Sequence, residues 1–174
     1  GDLVLRAWRT ADIPDIPVAA DDPEIHRWID TIPNPYTPSD ATEFVSTARR
    51  DLTEGLGVGL AITGDGGLLG AVGMRLPAFQ PGVGEVGYWL AAGARGRGVA
   101  TAATSALTDW AFGELALHRV ELYAATGNAA SRAVAERAGF ELEGIRRAWR
   151  KIHGEPSDFA AYARLATTRS PRTT

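Results

Sequence analysis

Residues 91–103 read "AAGARGRGVATAA": three glycines and two arginines lie directly after "GEVGYWL" (84–90) and directly before a helix-like run from Val99 to Leu115. A helix that starts at Val99 aims its free N–H groups and the positive end of its dipole back at this loop. Glycine there lets backbone amides approach a ligand closely. Those are the properties of a phosphate cradle, to which Arg95 and Arg97 would add charge-assisted hydrogen bonds or longer-range neutralisation. A plain strand-to-helix turn with solvated arginines is the alternative on local physics.

Two familiar phosphate motifs do not fit. A Walker loop ends in Gly-Lys-Ser/Thr, and the only lysine in the chain is Lys151. A dinucleotide fingerprint needs a third glycine where Thr101 stands, and an acidic residue ending a second strand, whereas Glu121 falls within one.

Around the loop, the chain alternates strands and helices. "LVLRAW" (3–8) reads as a first strand, followed by a short helix near Ile13 to Ala20. The proline-rich "PNPYTPSD" (33–40) is an extended loop ending where Ser39 or Asp40 caps a helix, with Phe44, Val45, Ala48 and Leu52 on one face and Gly55 as its stop. "VGLAIT" and "LLGAVGMRL" flank the turn "GDGG", and "GEVGYWL" supplies a third strand of a meander. In the next helix Ala103, Ala106, Leu107, Trp110 and Ala111 share a face. "HRVELYAAT" reads as a buried strand, "SRAVAERA" as a helix stopped by Gly139, and "FELEGIRRAW" and "DFAAYARL" as two closing strands. The expectation is one mixed α/β domain over residues 1–166, its sheet covered by helices, with a polar tail over 167–174.

Composition limits the function. The 174 residues are 45% hydrophobic, enough for one domain with a sizeable core, and contain no cysteine, which excludes disulfides, thiolate metal sites and a cysteine nucleophile. With no basic-apolar leader at residue 1 and no run near the roughly 18 apolar residues of a membrane span, a soluble, cytoplasmic protein is expected. The net charge of -3 argues against general nucleic-acid affinity. Residues 1–90 hold 6 Lys or Arg against 13 Asp or Glu, and residues 91–174 hold 12 against 8. That split suits an anionic ligand held by the second half and a cationic substrate drawn to the first, near Asp21, Asp22, Glu24 and Asp30; a solvated acidic face is the alternative.

Arg95-x-x-Gly98-x-Ala100 matches the Gln/Arg-x-x-Gly-x-Gly/Ala signature of the GCN5-related N-acetyltransferases (GNAT). "EVGYWL" before it, then "LHRVELYAATGNAASRAVAERAGFELEGIRR" and "HGEPSDFAAYARL" after it, in this order resemble the branch that acetylates protein N-termini, including ribosomal-protein alanine and serine acetyltransferases. The resemblance spans Leu3 to Leu165, and "PNPYTPSDATEFV" is similar to this branch as well. It implies a single, mostly antiparallel sheet of about six or seven strands with helices on both faces, and fourth and fifth strands splayed into an acetyl-CoA cleft. Gly96 and the amides of Arg97, Gly98, Val99, Ala100 and Thr101 would cradle the pyrophosphate, with Arg95 and Arg97 at the rim. The edge of "YWL" (Tyr88, Trp89 and Leu90) would hydrogen-bond pantetheine like an added strand. A homodimer is common in that branch.

Acetyl transfer to an amine needs a neutral nucleophile, a polarised carbonyl and a proton for the departing thiolate. Glu85, at the start of the strand feeding the loop, is placed to accept the amine proton, or is an exposed strand-start carboxylate. Asn128 and Ser131 occupy the family's Asn-x-x-Ser positions, where asparagine bonds pantetheine and serine is a proposed donor to the thiolate; they could equally cap a helix. The tyrosine that many members carry four residues before Gly-Phe is Ala135 here. The position of the glutamate proposed as base in ribosomal-protein members is Arg150. Trp28, Pro35 and Tyr36 belong to the segment that walls the acceptor site in similar proteins. His118 and His153 read as structural, His26 lies in the acidic half, and no histidine-carboxylate set has metal-ligand spacing, so no metal is expected. The reading is direct transfer from acetyl-CoA to an amine, with a protein or peptide N-terminus favoured as acceptor. A small-molecule amine, such as an antibiotic or polyamine, and a non-catalytic acyl-CoA sensor are the rivals.

Overall fold

The computed structural model describes residues 2–166, so the expected polar tail at 167–174 lies outside the described residues. Seven strands form one sheet: β1 (Val4–Ala7), β2 (Gly57–Gly64), β3 (Gly67–Arg75), β4 (Val83–Leu90), β5 (Arg119–Ala125), β6 (Glu141–Ile152) and β7 (Glu155–Leu165). Five α-helices accompany them: α1 (Asp15–Ala20), α2 (Pro23–Trp28), α3 (Pro38–Glu54), α4 (Val99–Glu114) and α5 (Ala129–Arg137). The strand order is β1-β2-β3-β4-β5-β7-β6, antiparallel throughout except where β4 meets β5. The two-residue connection Asp65-Gly66 closes the β2–β3 hairpin, as the "GDGG" signal predicts.

Helices cover both faces of the sheet. On one, Val72, Met74, Val86 and Leu90 meet Ala103, Leu107 and Ala111 of α4, and Val120, Leu122 and Tyr162 extend this core towards Ala135 of α5. On the other, Ala61, Ala71 and Trp89 meet Ile16 of α1, Ile25 of α2 and Ala41 and Val45 of α3. Period-two alternation along β4 divides these contacts: Val86, Tyr88 and Leu90 serve the α4 side, Trp89 the other. The second set of helices stops short of β5, β7 and β6, leaving Arg119, Glu121 and Tyr123 of β5 on an open half-face while Val120, Leu122 and Ala124 are buried.

Several local expectations are corrected. β1 is shorter than 3–8, and Trp8 leaves it to pack edge-on against Phe44. The cap of α3 is Thr37, not Ser39 or Asp40: its extended backbone lets its hydroxyl accept from Asp40 N–H while the Asp40 carboxylate accepts from Thr37 N–H. Gly55 ends α3 as expected, with φ 71. Helix α2, unforeseen, begins at Asp22-Pro23, with the Asp22 carboxylate accepting from Glu24 and Ile25 N–H. On α4 the buried stripe takes in Thr104 and Thr108, while Ala106 and Trp110 face solvent. β5 is half-buried rather than buried, because only its α4 side is covered. The closing strands run past the segments expected, to Ile152 and from Glu155, around a turn at His153-Gly154.

Candidate functional site

A cleft opens because β4 and β5 share too little register to stay together. They pair in parallel only over Val83–Glu85 against Arg119–Glu121. Beyond that, β4 stays with β3 as far as Leu90 and β5 with β7 as far as Ala125, so the two strands part.

The loop leaving β4 is built to hold an anion. Gly96 and Gly98 have φ of 71 and 76, the left-handed region that costs other residues roughly 1–2 kcal/mol, and a β-carbon at either would point into space with no atom within 4 Å. Gly98 sits at the N-cap of α4 without a side-chain cap, and the first helical bond there is Ala102 N–H to Gly98 O. Among the described residues, the N–H groups of Gly96, Arg97, Gly98, Val99, Ala100 and Thr101 have no hydrogen-bond partner. These orphan donors at the positive end of a 16-residue helix fit a pyrophosphate.

The two loop arginines differ. Arg97 is exposed and reaches only the Gly93 carbonyl at 3.4 Å. Arg95 turns inward, donating to the Asp22 carboxylate at 2.6 Å and to the Leu90 carbonyl at 3.0 and 3.2 Å. Desolvation works against the Asp22 carboxylate, yet the hydrogen bonds from Arg95 and Ile25 N–H hold it below its usual range. Arg95 therefore staples the loop to α2 and occupies the Leu90 carbonyl that the sequence reading offered to pantetheine. Trp89 is buried in the second core cluster and lies opposite Ala71 of β3, so its side chain does not reach the cleft.

Asn128 and Ser131 stand together at the start of α5, the Asn128 carboxamide oxygen accepting from Ser131 N–H at 2.9 Å. The cap reading of Asn128 is thus realised, with its NH₂ group still to spend. Ser131 Oγ receives the hydroxyl of Tyr88 at 3.2 Å, a contact from β4 that sequence reasoning missed. Strand parity carried the signal: Val86, Tyr88 and Leu90 must face α4 and α5 if Trp89 does not.

Glu85 lies on the opposite face. Both its oxygens accept from Arg150 Nη2 at 3.0 Å and one also from Arg75 at 2.9 Å. Arg150, at the position expected for a glutamate, thus holds the other candidate base instead. Its guanidinium lies 4.1 Å from the Trp149 ring centre and 5.2 Å from that of Tyr123, with Arg146 stacked on the same two rings. Tyr123 donates to Glu121 at 2.5 Å, and burial, followed by that carboxylate, pushes its hydroxyl up to about 12. Arg119 bridges Glu121 and Glu143. This half-face therefore sets Glu85, Glu121 and Glu143 against Arg75, Arg119, Arg146 and Arg150.

Where β5 ends, a cavity of about 370 Å³ lies between Trp28 of α2, the Ala125–Thr126–Gly127 connection and Ile152, Pro156, Ser157 and Asp158 of the β6–β7 hairpin. Asp158 is the one carboxylate in this lining, and one of its oxygens accepts from Ala148 N–H at 2.8 Å. Of the expected acceptor residues, Trp28 lines this cavity. Tyr36 packs on the second core cluster, where burial raises its hydroxyl to about 12, and Pro35 is exposed on the loop. The acidic group expected to attract a cation is largely engaged: Asp21 with His26, Asp22 with Arg95, and Glu24 with the Trp28 indole and Arg27. His118 directly precedes β5, and His153 occupies the closing turn with φ 52.

An orphan-amide loop beside a strand splay is the geometry that the GNAT resemblance implies, and comparison with known proteins agrees. Residues 2–141 match the family model described as "Acetyltransferase (GNAT) domain". The chain belongs to the GNAT acetyltransferase family. One curated relative, the provisionally named ribosomal N-acetyltransferase YdaF of Bacillus subtilis (strain 168), is 34% identical over 140 residues, covering 80% of this chain and 76% of the relative. Among solved structures, Mycobacterium smegmatis RimJ in complex with CoA-disulfide superposes with a TM-score of 0.88 at 25% identity, covering 95% of this chain and 83% of RimJ. The spermidine N-acetyltransferase of Vibrio cholerae, in complex with CoA and spermine, shares the fold with a TM-score of 0.77 at 21% identity, over 94% of this acetyltransferase and 95% of that one. Acetyl-CoA is the acyl donor. Among the described residues, no helix is long and apolar enough to cross a membrane.

Proposed function

We propose that this acetyltransferase modifies the α-amine of a protein or peptide N-terminus. The observation that carries this reading is the charge inventory around the cleft. A polyamine needs several free carboxylates, yet Glu85, Glu121, Glu143, Asp21 and Asp22 are each committed to an arginine or histidine. The cavity beside the splay has a single carboxylate, Asp158, matched to one ammonium group. Trp28, Ile152 and Pro156 add apolar walls suited to a first side chain. The curated relative's name points in the same direction.

In this reading the donor lies on the α4 side, its pyrophosphate on the amides of Gly96 to Thr101, and the acceptor comes from the face bearing Glu85 and Trp28. The amine nitrogen attacks the thioester carbon, the carbon–sulfur bond breaks, and the proton lost by nitrogen balances the one gained by sulfur. Glu85 takes the amine proton through water, since three of its roughly four lone-pair sites are already used. Ser131 serves the departing sulfur. Incubating the purified protein with acetyl-CoA and equimolar peptides, either with a free N-terminus or N-terminally blocked with a free lysine, alongside spermidine, tests the acceptor. Mass spectrometry should find acetyl groups on the free N-termini first. Preferential acetylation of spermidine would overturn the reading.

A further inference from the structure

The Tyr88–Ser131 contact lies where β4 has already parted from β5, on the side that takes the acyl donor. The Tyr88 ring packs against the main core. Burial raises its pKa above the ordinary tyrosine value, so the phenol is protonated at neutral pH and has a hydrogen to donate. Ser131 sits in the first turn of α5, its N–H already given to Asn128. One turn on, Ala135 is fully buried and offers no hydroxyl.

A serine hydroxyl has one hydrogen and two lone pairs. When its oxygen accepts from Tyr88 at 3.2 Å, its own hydrogen has to point away from the ring. We propose that Tyr88 is a positioning residue for acetyl transfer: by donating to Ser131 Oγ it directs the serine hydrogen into the gap between β4 and β5, where the thioester sulfur departs. Sulfur leaves with the electron pair of the carbon–sulfur bond. The Ser131 O–H bond breaks as the S–H bond forms, and Oγ regains a proton from water, balanced by the nitrogen proton that Glu85 takes and returns to water. Tyr88 keeps its proton throughout and stabilises the charge passing through Oγ. The inference rests on the acetyl-transfer reading of the cleft and is independent of which amine accepts.

The test uses Tyr88→Phe, which removes one oxygen and keeps the ring, in the full chain, with release of the CoA thiol followed by a thiol reagent. The expected kcat is about tenfold or more below wild type, a loss bounded above by the roughly 10²- to 10⁴-fold worth of the proton donor itself, and calorimetric affinity for CoA stays within twofold. Ser131→Ala should fall at least as far, and Tyr88→Phe combined with Ser131→Ala should fall no further, because the tyrosine acts only through the serine. Wild-type kcat in Tyr88→Phe, a loss of CoA affinity equal to the loss of rate, or a double variant slowed by the product of the two single effects would each overturn the inference and leave acetyl transfer standing. A wild-type protein that releases no thiol with any amine would overturn both.

Discussion

Replacing Gly98 by alanine separates the loop's conformational requirement from its role in holding the donor. At φ 76 the new β-carbon strains the backbone by roughly 1–2 kcal/mol. With no atom within 4 Å it adds no clash inside the protein. For a chain of this length, 1 kcal/mol corresponds to roughly 2–4 °C in Tm, so a drop of about 2–8 °C is expected. The second effect concerns the ligand. The β-carbon stands at the N-cap of α4, beside the orphan amides of Val99 to Thr101, where the phosphate oxygens have to approach. Losing one hydrogen bond to a charged group costs about 1.5–3 kcal/mol, which weakens CoA binding by roughly 10- to 150-fold. Gly87→Ala is the control: it lies on β4, outside the positive-φ glycines, with equally open space around its β-carbon, and should change neither quantity. Thermal melts and calorimetry with CoA read the two effects independently. A Gly98→Ala protein that melts early but binds CoA like wild type would refute the assignment of these amides to the pyrophosphate.

Glu85→Gln should lower kcat/KM clearly at pH 7 and recover partly by pH 9, because a peptide α-amine with a pKa near 8 is only about one-tenth neutral at pH 7; an unchanged pH–rate profile would reduce Glu85 to an anchor for Arg75 and Arg150. Asp158→Asn should raise KM for a free N-terminal peptide about five- to tenfold with kcat within twofold, measured by steady-state kinetics, and an unchanged KM would remove Asp158 from the acceptor site. Arg6 clasps Asp12 through two bonds of 2.7 Å, and Arg9 N–H adds a third. The bonds from Arg6, opposed by desolvation, hold the Asp12 carboxyl below its usual range. A lowered folded-state pKa gives stability that is present above the unfolded value and lost as pH falls through the folded one. Asp12→Asn should therefore cost about 1–3 kcal/mol at pH 7, and the gap in Tm from wild type should narrow as pH drops below about 4; a gap constant from pH 7 to 3 would contradict this.

The sheet and the loop were legible because their signals are local. "GDGG" between two apolar runs determines a hairpin, and glycines before an alanine-rich helical period mark an uncapped helix start. Helix α2 was missed because it has only six residues, too few for an apolar period to show in the stretch between Ala20 and Pro33, although Asp22-Pro23 is a good start signal. The face of α4 was set by counting apolar residues, and Thr104 and Thr108, polar but fully buried, shifted it. At the site, the glycines and the helix start after Arg95 were readable from local physics, and the three-residue spacing of Asn128 and Ser131 allowed the helix cap that the structure has; their place beside a donor came from the GNAT resemblance. The partners of the charged side chains were not. Arg95 finds Asp22 across 73 positions and Arg150 finds Glu85 across 65, and only tertiary structure chooses those pairs from 18 cations and 21 anions. Tyr88 was read as backbone edge, and its hydroxyl became relevant once α5 brought Ser131 within 3.2 Å.

If donor and acceptor reach the β4–β5 splay from opposite faces, a crystal structure with CoA and an N-acetylated peptide bound together will show both at once. The pyrophosphate should lie on the N–H groups between Gly96 and Thr101, the thiol in the gap beside Ser131, and the peptide's first side chain against Trp28 in the cavity that Asp158 lines. Density for the peptide on the α4 side, or for the pyrophosphate away from that loop, would contradict this arrangement.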